Sequence, residues 1–151
     1  RTADVAYSDA YFDAGQVLIV PQASAVAGMA DLDGRTVAVE LGALGHVEAQ
    51  AWQRRQPRLT VATHGSVDEA LAAVATGTAD AALVDSVGGR LHLRNHADSG
   101  LLRLDPPVTS EPYAIAVRIG DRTLQTRLNE TLAKLERSGH LEAIITQWLG
   151  P

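Results

Sequence analysis

The chain has no cysteine. That absence excludes thiol catalysis, a disulfide framework and a cysteine-bound metal, and it leaves both a reducing and an oxidising compartment open. Aromatic residues make up 4% of the 151 residues, so a core has to be built mostly from Ala, Val, Leu and Ile. Positive charge is in deficit. Thirteen Lys and Arg stand against 18 Asp and Glu, a formal charge of -5. There is no basic stripe with interleaved aromatics, which argues against nucleic acid as a partner. No apolar run approaches the length of a membrane span. The first residues do not read as a signal peptide, which a mature exported chain would also lack.

What is present is a globular composition, with 46% hydrophobic and 21% charged residues, able to bury a core. The length suits one ordinary domain or two small ones. "QVLIVP" (16–21) reads as a strand stopped by proline, and "RTVAVE" (35–40) as a second strand. Residues 43–56 carry apolar residues near helical spacing and end before Pro57; "LTVAT" (59–63) is a third strand. "SVDEALAAVATG" (66–77) is the clearest helix, with Ser66 and Glu69 placed as a capping box and Gly77 at its end. "DAALVD" (80–85) follows as a strand, 86–97 as a helix and "LLRL" (101–104) as a short strand. "YAIAVR" (113–118) is a further strand. Helices at 121–139, with Leu124, Leu128, Leu132 and Leu135 on one stripe, and at 141–150 complete the chain. Strands with continuous apolar runs favour a parallel sheet covered on both faces. Residues 22–110 look self-contained between two extended segments. A domain inserted between two strands of another gives this pattern, and a single three-layer α/β domain explains the same elements.

Ligands of open α/β sheets bind beyond the carboxyl ends of strands. "ELGALG" (40–45) is one candidate: its glycines permit a tight turn into a helix whose first N–H groups can meet an anion. It is equally a plain turn, without the ending of a phosphate loop or the dinucleotide fingerprint. Asp85 reads as a helix N-cap or as a carboxylate for a ligand cation. His46, His64, His92, His96 and His140 form no tight metal spacing. His92 and His96, four apart on a helix, are suited to metal, yet no carboxylate or third histidine sits obviously with them. No serine elbow is present. The expectation is a binder of something small, with no catalytic residue, no cofactor and no metal.

In order along the chain, "RTADVAYSDAYFDAGQVLIV", "DLDGRTVAVELGALG", "SVDEALAAVATGTADAALVDS" and "EPYAIAVRIGDRTLQTRLNETLAKLERSGHLEAIITQWLG" resemble the type 2 periplasmic solute-binding proteins, in the polar amino acid branch (family 3) that feeds ABC importers. The resemblance covers nearly all residues. It implies an α/β, two-lobe periplasmic-binding-protein-like (type II) fold, here a near-complete second lobe (17–112) plus part of the first (1–16 and 113–151). It implies that Arg1 grips a ligand α-carboxylate, as a planar guanidinium suits. Asp85 would take the α-ammonium, and the turn of Gly42, Ala43 and Leu44 would help hold the carboxylate.

The sequence departs from the family pattern in three respects. Ala43 and Leu44 stand where Ser or Thr often follows the turn glycine, leaving backbone N–H groups as the only donors. Glu40 stands where some members have a basic residue. Both tolerate a ligand with a cationic or apolar portion. The family also has a long N-terminal portion before the arginine, so the chain is expected to be a piece of a longer one.

The resemblance implies an amino acid or analogue as ligand, hinge closure, an ABC transporter permease as partner, a monomer, and a periplasmic or extracellular membrane-associated location, lipid-anchored or not. Two alternatives use the same scaffold. One is a periplasmic cyclohexadienyl (prephenate or arogenate) dehydratase, with Glu111 or Asp85 offered as general acid. The other is the ligand-binding sensory domain of a receptor.

Overall fold

The computed structural model describes residues 4–150. Chain contacts divide it into two units: Gly15–Ser110, and a second made of the stretch up to Ala14 with the stretch from Glu111 onward. The chain enters through two short strands, β1 (Val5–Tyr7) and β2 (Phe12–Asp13).

The Gly15–Ser110 unit holds β3 (Gln16–Pro21), β4 (Thr36–Glu40), α1 (Leu44–Arg55), β5 (Thr60–His64), α2 (Val67–Ala75), β6 (Ala81–Asp85), α3 (Ser86–Asn95) and β7 (Leu101–Arg103). Its sheet runs in the order β5-β4-β6-β3-β7. Strands β5, β4 and β6 are parallel, as their helical crossovers require. β3 is antiparallel to both β6 and β7, so the sheet is mixed where the sequence favours a parallel one. The reason lies in what apolar runs report. β3 is covered on both faces whichever way it points, and its hydrophobicity records the cover and not the direction.

Alternate residues of β3 feed two separate cores. Leu18 and Val20 join Val37, Val39, Leu83 and Ala49 of α1 on one face. Val17 and Ile19 join Ala38, Ala82, Val84 and Ala70, Leu71 and Val74 of α2 on the other. Leu18, Ile19, Leu71 and Leu83 are fully buried, each removal from water contributing about 1.5–3 kcal/mol. Gly89 of α3 lets that helix settle on the second face, where a Cβ would stand 2.8 Å from Ile19 Cδ1. α2 begins as expected: Ser66 Oγ accepts from Glu69 N at 3.2 Å. The returning bond goes one residue further back than in a standard capping box, from Gly65 N to Glu69 Oε2 at 2.8 Å.

The second unit closes with β8 (Pro112–Tyr113), β9 (Ala116–Arg118), α4 (Arg122–Arg137) and α5 (His140–Leu149). β1 pairs antiparallel with β9, and β2 with β8. The expected single strand over 113–118 is thus two pieces serving different partners. Ser8 bridges the break: its Oγ accepts from Ile115 N at 2.9 Å, and its own N–H donates to Ile115 O. Asp121 caps α4 by accepting from Leu124 N, and Gly139, at φ +72°, turns the chain into α5. No residue of α4 or α5 is buried.

Candidate functional site

Three parallel strands end together, at Glu40, His64 and Asp85. β4 and β6 are neighbours in the sheet, so the turn after Glu40 and the carboxylate of Asp85 occupy one carboxyl edge. The turn is made by Gly42 at φ +83°, a conformation that favours glycine. Ala43 follows in the extended conformation of an N-cap, with no side chain able to cap. α1 then begins against β6. A Cβ on Gly45 would stand 2.5 Å from the Leu83 carbonyl oxygen and 2.9 Å from Oε1 of the buried Gln16.

The amides of this turn divide into engaged and open ones. Gly42 N donates to His46 Nδ1 at 3.2 Å, and Ala43 N donates to Glu40 O at 3.3 Å. The imidazole of His46, at the third position of the helix, therefore reaches back as the Glu or Gln of a capping box does, one residue further than usual. The N–H groups of Leu44 and Gly45 have no partner among the described residues, as the first turn of any helix leaves them. Of the three turn residues singled out in the sequence, the amide of Leu44 is the one left open, and Gly45 adds a second that the sequence reading missed. Both point the positive end of α1 outward from the strand edge.

Asp85 is the N-cap of α3: its Oδ1 accepts from Gly88 N at 2.7 Å. The structural reading of this residue is thus realised. Its Oδ2 makes no hydrogen bond among the described residues. Glycine at 88 keeps that oxygen uncrowded, since a Cβ there would stand 2.8 Å from it. The edge accordingly offers a half-engaged carboxylate beside open backbone donors, which is the complement of a zwitterion. Around them Leu41, Leu44 and Val47 are exposed apolar side chains. His64, paired in register with Glu40, has a buried Nε2 without a hydrogen-bond partner among the described residues. Arg1 lies outside the described residues.

Comparison with known proteins gives a consistent result. The model of "bacterial extracellular solute-binding proteins, family 3" matches residues 1–151. The ABC transporter glutamine-binding protein GlnH of Bacillus subtilis strain 168 is 30% identical over 152 residues, covering 99% of this chain and 53% of GlnH. The virulence sensor protein BvgS of Bordetella pertussis is 30% identical over 153 residues, covering 99% of this chain and 12% of BvgS. The chain spans about half the length of the curated binding proteins it matches. Among solved structures, the L-cystine solute receptor of Neisseria gonorrhoeae, in its unliganded open conformation, superposes with a TM-score of 0.84 at 20% identity, covering 99% of this chain and 62% of that one. That likeness shows a shared α/β, periplasmic-binding-protein-like fold. With the family model matched from end to end, the chain belongs to the family 3 bacterial extracellular solute-binding proteins.

Proposed function

We propose that this chain is the greater part of an extracytoplasmic receptor that binds an amino acid-like solute and delivers it to an ABC transporter permease. The observation that carries the reading is the pairing, on one strand edge, of the open Asp85 Oδ2 with the free amides of Leu44 and Gly45. The carboxylate would take a ligand ammonium, and the helix start a ligand carboxylate. The Gly15–Ser110 unit would be the second lobe, and Arg1 the guanidinium that grips the same ligand carboxylate. Glu40 and the apolar Leu41 and Leu44 favour a solute whose remaining portion is cationic or apolar. The receptor would act as a monomer in the periplasm or outside the cell in association with the membrane, with or without a lipid anchor. GlnH, named for glutamine binding, supports the amino acid class.

Calorimetric titration of the complete protein with the twenty standard amino acids and their close analogues tests this. Binding is expected for at least one of them, and silence across the panel would refute amino acid capture. A second reading keeps the binding chemistry and changes the output: the match to BvgS favours a sensory input domain. The full-length coding sequence decides, because a kinase fused to this chain would make it a sensor.

A further inference from the structure

A second constellation lies on the α2/α3 side of the sheet, among residues the solute site does not use. His92 on α3 is 8% exposed, and its Nδ1 lies 2.6 Å from Asp68 Oδ1 on α2. The sequence marks no carboxylate as the partner of either ring. The fold supplies one from 24 residues away. His96 stacks on His92 with ring centroids 4.3 Å apart and planes 25° from parallel. Its Nδ1 lies 3.0 Å from the backbone carbonyl of His92. Both rings line one groove of about 690 Å³ together with Ala72, Ala75 and Asp98.

The hydrogen bonds fix the tautomers. A carbonyl oxygen only accepts, so His96 carries its proton on Nδ1. The Asp68 carboxylate imposes the same on His92. With the proton on Nδ1, the lone pair of each ring is at Nε2. Neither Nε2 has a partner among the described residues. Orienting a ring by tying Nδ1 to a carboxylate or a backbone carbonyl is how proteins prepare histidine for metal, and here it happens twice in four residues. Spacing i, i+4 puts the two side chains on one helix face. No group of three ligating side chains converges among the described residues, so water would complete the coordination.

We infer that this groove binds one divalent first-row transition-metal ion through Nε2 of His92 and His96, with Asp68 as positioning residue. Imidazole donors select Zn²⁺, Ni²⁺ and Cu²⁺ over Mg²⁺ and Ca²⁺, with Cu²⁺ held most tightly.

The test is titration of the untagged protein with Cu²⁺, Ni²⁺ and Zn²⁺, with copper followed also by electron paramagnetic resonance. One ion per chain is expected, with hyperfine splitting from two imidazole nitrogens. His96→Ala removes an exposed ring and should leave a one-nitrogen signal and at least tenfold weaker binding. Asp68→Asn, also at an exposed side chain, should weaken binding by about 10–100-fold, the usual effect of losing such a partner, while two nitrogens remain in the signal. Mg²⁺ should not compete. No metal uptake by the wild type, or uptake unchanged in His96→Ala, would overturn the assignment. Because the groove and the strand edge share no residue, solute titration of the same variants reports on the solute reading separately.

Discussion

Gly45 rests against the carbonyl of Leu83 so closely that no side chain fits between them. A Cβ would stand 2.5 Å from that oxygen, inside any real contact. This approach sets where α1 begins relative to the end of β6, and so the spacing between the open amides and Asp85. Gly45→Ala is expected to destabilise the protein by about 1–3 kcal/mol, the usual cost of forcing extra volume into a packed place. Gly28→Ala is the control: nothing lies within 4 Å of its added carbon. Thermal melting should separate the two, and equal melting temperatures would show that the helix start shifts freely.

Asp85 has two duties that different substitutions divide. Asp85→Ala loses the cap on α3, at about 1 kcal/mol, together with the charge. Asp85→Asn can keep a cap oxygen on Gly88 N and lose only the charge. The expected result is weakened solute binding in both and a lowered melting temperature in Ala alone. Asn binding as tightly as wild type would make Asp85 a cap and nothing more.

Ala43 already has the extended backbone of an N-cap, with φ -72° and ψ 168°, and lacks only the oxygen. Ala43→Ser should raise stability by about 1 kcal/mol, measured by denaturant unfolding. It should also alter solute affinity, because the new hydroxyl would compete for the amides the ligand is proposed to use. Stability without any change in affinity would place the ligand elsewhere.

Replacing Arg1 with Lys in the complete protein keeps the charge and removes the paired planar donors. Solute affinity should fall more than in Arg54→Ala or Arg55→Ala, which lie exposed in the last turn of α1. The loss should be greater for a free carboxylate than for the corresponding amide. Titration of both ligands checks this, and equal losses would mean that Arg1 grips no carboxylate.

How far the fold was legible depended on how local its causes are. β3 was read as 16–21, and α2 and α4 to within a residue or two, because capping and apolar spacing act over a few positions. Strand direction was not legible, since β3 is as apolar antiparallel as it would be parallel. β1 and β2 were legible only as one extended segment, because the partners that divide it are far along the chain. At the site, the positions of Gly42 and Asp85 on a strand edge were readable, and the role of Asp85 was left between two readings, of which the cap is realised. The division of the turn amides was hidden. It depends on His46 folding back onto Gly42, and no motif marks a histidine for that. Asp68 was hidden for the opposite reason: its partner His92 comes from another helix.

The excursion from Gly15 to Ser110 also bears on the order in which the molecule assembles. Ser8 and Ile115 bond across 107 residues of chain, a closure that costs an open coil about 4 kcal/mol of entropy before length-independent terms. Once the inner unit has formed, Gln16 N is held 2.9 Å from Thr109 Oγ1, and the two flanking segments emerge as neighbours. The ribbons of β1 with β9 and β2 with β8 then close short loops at small entropic cost. Nucleation falls to the inner unit, and the flanking pairs zip up behind it.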